Sequence, residues 1–194
     1  QQRLVQDAGH ELRTPLTSLR TKPQSYASAG VGTMTHLGSE LVLRKAGVQA
    51  THVPYKGSGA ALTDLIGGQV LFATDSLTAA MTHIRSGKLR VLATPDTARE
   101  GSLPDVPTLA EAGIPGVQVA VLGGLFAPKG TPQDIVDKLA AATAKALADP
   151  EVVQRFAAVE TDPLKVTMPA FINLLRREAE VWSPLVQQLG LKQE

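Results

Sequence analysis

The chain has 194 residues, of which 43% are apolar and 19% charged, with a net charge of +1, 4% aromatic residues and no cysteine. Such a composition describes a folded chain with an aliphatic core. It excludes disulfides, thiolate catalysis and cysteine-based metal sites, and it sets nucleic acid aside, because phosphate binding needs a concentrated basic face and single strands need stacking rings. No apolar run approaches the roughly 18 residues of a spanning helix, and the opening QQRLVQDAGHELRT is too polar and too mixed in charge for a secretory signal.

Residues 1–22 favour a helix. With Val5 at heptad position a, Ala8 falls at d, Leu12 and Leu19 at a, and Pro15 at the next d, which predicts a short apolar seam kinked at Pro15 and stopped near Pro23. From Tyr26 onward strands alternate with helices. The pattern predicts a strand at Ser25–Ala29, a glycine turn at Gly30–Thr33, and a helix at Met34–Ala46 ended by Gly47. A strand at Ala50–Pro54 and a helix at Ser58–Ile66 ended by Gly67-Gly68 follow. Then come a strand at Val70–Thr74, a helix at Leu77–Ser86 and a strand at Leu89–Thr94. After a loop at Glu100–Pro107, a short helix is expected at Thr108–Ala112 and a long strand at Val117–Ala127. Helices from Thr131-Pro132 to Ala148, from Asp149-Pro150 to Val159, and from Met168 to Leu189 close the chain. Strands spaced by helices of about ten residues imply βαβ units and a largely parallel sheet.

The string His10-Glu11-Leu12-Arg13-Thr14-Pro15-Leu16-Thr17 resembles the H-box of bacterial sensor histidine kinases. The resemblance implies His10 as a phosphoacceptor assisted by Glu11. The heptad places His10 at f, opposite the seam. No ATP-binding module follows, so self-phosphorylation in cis is not expected.

Three strand ends carry polar groups. Ser28-Ala29-Gly30-Val31-Gly32-Thr33 ends a strand and opens a helix, where free amides and the positive helix end suit an anion. Ser28, Thr33 and Thr35 add hydroxyls, and His36 sits in the first turn. Phosphate is the weaker candidate, because Thr35 stands where the third glycine of G-x-G-x-x-G belongs and no P-loop lysine follows; a carboxylate is preferred. Tyr55, Lys56 and Ser58 lie at a second strand end and Asp75 at a third, the edge where open α/β sheets bind ligands. Ser58 and Asp75 also read as N-caps. The histidines at 10, 36, 52 and 83 lack metal-ligand spacing, no serine sits in a G-x-S-x-G elbow, and no carboxylate pair stands out. A binding protein is expected, without cofactor or metal.

In order along the chain come Tyr26–Thr33 with His36, His52–Ser58, Ala61–Val70, His83-Ile84 with Gly87–Arg90, Leu103–Thr108 and Gly124–Pro128. Together they resemble the tripartite tricarboxylate transporter receptor, or Bug, family over about residues 23–191. The resemblance implies a type II periplasmic-binding-protein-like α/β sheet with flanking helices, closing on a small carboxylate. It also implies a periplasmic location, membrane transporter subunits as partners, and amides of the Ser28–Thr33 turn as carboxylate donors, with Asp75 near the cleft. Family members carry a further N-terminal segment that builds most of a first lobe, so an incomplete first lobe preceded by the H-box-like helix is expected. The domains are then residues 1–22 and 23–194. Helix faces after Gly130 would be left apolar and exposed, which favours a homo-oligomer. The alternative reading is a signalling protein with the phosphoacceptor helix on a sensor-like body. The two readings place the chain on opposite sides of the inner membrane.

Overall fold

The computed structural model describes residues 24–159, 161 and 163–191. The helix expected at 1–22, with His10 and Glu11, lies outside them. The described chain divides into two compact units, one running to Val121 and taking up the chain again from Gln188, the other spanning Leu122–Gln187.

The first unit is built on three parallel strands, β1 (Ser25–Ser28), β2 (Thr51–Pro54) and β3 (Phe72–Ala73), in the order β2-β1-β3. Helix α1 (Met34–Ala46) joins β1 to β2, α2 (Ser58–Ile66) joins β2 to β3, and α3 (Leu77–Arg85) follows β3. The alternation of side chains along β1 decides what each face buries. Tyr26 points to one face and is fully buried with Leu43 and Val48. Ala27 points to the other and packs with Ala61 and Val70. The register sets Tyr26 between His52 and Phe72, and its ring stacks on both, at centroid distances of 4.9 and 5.6 Å.

Local chemistry fixes the helix ends. Thr33 caps α1 by accepting the His36 N–H through its side chain, and Gly47, at φ 65°, closes it in the left-handed conformation that glycine tolerates best. The expected caps of the next two helices shift by one residue. Gly57, not Ser58, is the N-cap of α2, and Ser76, not Asp75, caps α3 by accepting the Ala79 N–H. Both predicted caps are thereby freed for contact with each other.

Three expected strands are shortened or absent for one reason: an apolar run becomes a strand only where a ladder partner lies alongside. The strand predicted over Val70–Thr74 is reduced to Phe72–Ala73, paired with β1 along one edge. Leu89–Thr94 forms no strand; its ladder contact among the described residues is the isolated parallel bridge of Thr94 to Thr108. Val117–Ala127 forms none either. Val117 is buried, but Val121, Leu125 and Phe126 are exposed. The helix expected at Thr108–Ala112 is a single turn, in which the Thr108 N–H donates to Glu111 Oε2 and the Glu111 N–H to Thr108 Oγ1. Arg99 binds that Glu111 carboxylate and, with Thr108, holds it below the usual carboxylate range.

The second unit holds α4 (Gln133–Ala148), α5 (Pro150–Ala158) and most of α6 (Met168–Gln188). Asp149 caps α5 ahead of Pro150, as expected. Thr131 does not cap α4: Pro132 occupies that position, and the Thr131 hydroxyl donates to Pro128 O instead. Within this unit Phe126 and Phe171 meet at 6.3 Å. Gly124 is fixed beside them, since a Cβ there would come within 2.7 Å of the Phe171 ring. Helices α4 and α5 contain no buried residue. No described helix is long and apolar enough to cross a membrane.

Candidate functional site

The carboxyl ends of β1 and β2 and the start of α1 are laced together by main chain. The Tyr55 N–H donates to Ser28 O and the Gly57 N–H to Ala29 O, both at 3.0 Å, so the corner after β2 is held against the corner after β1. Gly30 and Gly32, at φ 145° and 75°, let the chain turn sharply into α1.

The amides of that turn are not all open, which corrects the expectation that Ser28–Thr33 presents them as a set. The Ala29 N–H is taken by Thr35 Oγ1 at 2.8 Å, the Gly30 N–H by Ser28 Oγ at 3.2 Å, the Gly32 N–H by His36 Nδ1 at 3.1 Å, and the Thr33 N–H by Gly30 O at 3.3 Å. The turn satisfies itself because serine, threonine and histidine side chains lie within two to six residues of the amides they accept from. Among the described groups of this corner, the amides without a protein acceptor are Val31, Met34 and Thr35. Their direction follows from peptide planarity. Gly30 O points inward to Thr33 N and Thr33 Oγ1 (2.7 Å), so the N–H across the same trans peptide, that of Val31, points outward. Met34 and Thr35 add the first-turn amides of a thirteen-residue helix with no acidic residue in that turn.

Behind the turn stand two imidazoles. His36 and His52 lie face to face, with centroids 4.0 Å apart and planes 9° apart. His52 Nε2 meets Ser28 Oγ at 2.7 Å. Burial pulls both rings below the ordinary imidazole value; for His52 the neighbouring His36 adds to this, while Glu40 opposes it for both. Glu40 accepts the Tyr26 hydroxyl at 2.7 Å, and burial together with that carboxylate raises the Tyr26 pKa. The sequence singled out His36 as a site residue but not His52. The available signal was register: Tyr26 on β1 and His52 on β2 precede their corners by comparable distances, so parallel pairing sets them side by side.

The remaining predicted residues separate into two groups. Ser58 Oγ donates to Asp75 Oδ1 at 2.7 Å, and the Ser76 N–H donates to the same oxygen at 2.8 Å. These bring the second and third strand ends together. Asp75 Oδ2 is buried without a partner. Tyr55 turns away to donate to Asp64 Oδ2 at 2.7 Å, which raises its pKa, and Lys56 is exposed. Two residues outside the prediction, Ser39 and Thr74, join α1 to the end of β3 through a hydroxyl contact of 3.0 Å.

A cavity of about 550 Å³ is lined by α1, β3, α3 and residues 88–95. It includes Thr74 and Asp75 but none of the Ser28–Thr33 turn, Tyr55 or Ser58. Its walls are largely aliphatic, from Val42, Leu43, Leu77, Ile84 and Leu109. The Thr94 hydroxyl, also on its lining, is buried without a partner.

A parallel sheet with helices on both faces, ending in a glycine corner at a helix N-terminus, is an arrangement in which open α/β sheets bind ligands at the carboxyl edge. The chain matches the tripartite tricarboxylate transporter family receptor over residues 11–191, and it belongs to that family. The match begins inside the segment that resembles an H-box. A Pseudomonas protein (strain P51) encoded in the tcbD-tcbE intergenic region is 39% identical over 168 residues, covering 86% of this chain and 50% of its own length. The R. palustris protein Rpa4515, solved with adipate, superposes with a TM-score of 0.81 at 30% identity, covering 91% of this chain and 60% of that one. MatC from Rhodopseudomonas palustris, solved with bound malate, gives a TM-score of 0.77 at 33% identity, covering 90% and 60%. The chain thus spans about half the length of most of the curated relatives it matches. Family members are periplasmic solute-binding proteins.

Proposed function

We propose that this chain binds a small carboxylate solute at the corner between β1 and α1, as the receptor of a tripartite transporter. The observation that carries the reading is the set of outward, unengaged amides of Val31, Met34 and Thr35 at the positive end of α1. A carboxylate oxygen seated there would take main-chain donors without needing a buried cation. The adipate and malate seen in two structural relatives support a dicarboxylate as its class. Lys56, exposed at the neighbouring corner, supplies long-range attraction for an anion. Asp75 is an acceptor and suits a hydroxyl on the solute, not its carboxylate.

The location proposed is the periplasm, with membrane transporter subunits as partners, both by family membership. We read the chain as a binding protein and not an enzyme. The apolar residues exposed in the second unit, among them Leu125, Phe126, Leu139, Val166, Ile172 and Val181, support self-association, which light scattering at micromolar concentration would refute by showing a monomer. Calorimetric titration with malate and adipate tests the binding reading: saturable heat with either supports it. No heat with any di- or tricarboxylate, from a chain shown to be folded, overturns it.

A further inference from the structure

The stacked imidazoles engage two different points of the glycine turn. His52 reaches Ser28 Oγ, at the last residue of β1, and Ser28 Oγ in turn accepts the Gly30 N–H. His36, from the first turn of α1, accepts the Gly32 N–H. Val31 lies between these two tethered amides, and its N–H is aimed by the peptide plane that they bracket. We propose that His36 and His52 are positioning residues that hold the Val31 amide outward, and that the turn loses this geometry when His36 takes up a proton.

The two rings differ in what a proton does to them. His36 Nδ1 serves as an acceptor, so it carries no proton while the Gly32 N–H points at it. Protonation there replaces an acceptor with a donor, and two N–H groups then face each other at 3.1 Å. His52 Nε2 faces a hydroxyl, which can donate or accept; a proton on His52 leaves that contact intact. Sensitivity therefore belongs to His36. It is 5% exposed, and the titratable groups that act on it are His52 from β2, stacked on it and itself in contact with Ser28 and Tyr26 of β1, and Glu40 one turn further along α1. Glu40 is partly occupied by the Tyr26 hydroxyl and lies 3.9 Å from Arg44. Burial lowers the His36 pKa and keeps the ring neutral at neutral pH, while Glu40 limits that effect.

The test uses amide NMR of the whole chain together with malate titration, and compares His36→Asn with His36→Leu. The oxygen of an asparagine side chain can stand near the position of Nδ1 and accept the Gly32 N–H, but it does not titrate. In the wild type, the Gly32 and Val31 amide signals should move together as the pH falls below about 6.5. His36→Asn should remove that movement, and His36→Leu should leave the Gly32 amide exchanging freely at every pH. The binding arm rests on the carboxylate reading: wild-type affinity for malate should fall about tenfold more on acidification than that of His36→Asn, and His36→Leu should bind weakly throughout. If Gly32 and Val31 do not respond to the titration of His36, or if His36→Asn keeps the wild-type pH profile, the proposal is overturned. If malate never binds but the amide titration appears, the carboxylate reading fails and the positioning pair stands.

Discussion

Replacing Tyr26 separates its two contributions. The ring is fully buried between Phe72 and His52, and the hydroxyl donates to Glu40 at 2.7 Å. Tyr26→Phe keeps the ring and deletes one hydrogen bond to a carboxylate. Such bonds contribute about 1.5–3 kcal/mol, and because Glu40 is partly open to water the lower end, about 1.5 kcal/mol, applies. For a chain of this size that is a fall in midpoint of about 3–6 °C. Tyr26→Ala also removes the ring from between two stacked neighbours and from Leu43 and Val48, which costs about 3–5 kcal/mol. Glu40→Gln retains an acceptor and should cost less than Tyr26→Phe. Urea unfolding followed by circular dichroism measures all three. A Tyr26→Phe chain as stable as wild type, or a Tyr26→Ala chain no worse than Tyr26→Phe, would refute the view that this ring joins sheet and helix.

Gly32→Ala places a Cβ in open space but at φ 75°, so its cost is backbone strain alone, about 1–2 kcal/mol; Gly30→Ala should cost more, because its φ of 145° lies far from the left-handed well that side chains can enter. Thermal melts of the two variants check that order. Ser58→Ala removes a donor from a carboxylate whose other oxygen is already buried and unpartnered; a loss of about 1.5 kcal/mol is expected, and in a double-mutant cycle Ser58→Ala should cost little once Asp75 is alanine. His36 and His52 are held below their ordinary pKa, so the unfolded chain binds more protons than the folded one in the acidic range. Their contribution to stability is complete above about pH 6.5 and is lost as the pH falls toward the folded values; urea midpoints across that range should show the loss, and His36→Asn with His52→Gln should diminish it.

Local chemistry was legible at several helix ends, though the caps expected at Ser58, Asp75 and Thr131 each fall on a neighbouring residue. Asp149 as a cap, Gly47 as a left-handed stop, and the parallel β1-α1-β2-α2-β3 order all follow from residue type and spacing, whereas residue type left Thr33 and Thr35 as equal candidates for the cap of α1. What the sequence could not supply was partnership across space. Leu89–Thr94 and Val117–Ala127 have strand composition, yet neither has a ladder beside it, and composition carries no information on that. The candidate site divides along the same line. The glycine corner was visible because glycines and hydroxyls cluster within eight residues. That four of its amides are internally engaged was not, because three of those bonds depend on which way the Ser28, Thr35 and His36 side chains turn and the fourth, Thr33 N–H to Gly30 O, on the turn itself. His52 was missed since its role comes from an inter-strand register and a stack on a helix 16 residues away in sequence.

The central claim is that an anionic oxygen is received by three specific amides. Titrating the isotopically labelled chain with malate while following every backbone amide tests it most directly. Saturable downfield shifts of Val31, Met34 and Thr35, larger than those at Ala29 or Gly30, are predicted, because only the former have a free N–H to offer. Saturable shifts that leave these three unmoved and fall elsewhere, for example on residues lining the cavity beside β3, would contradict it.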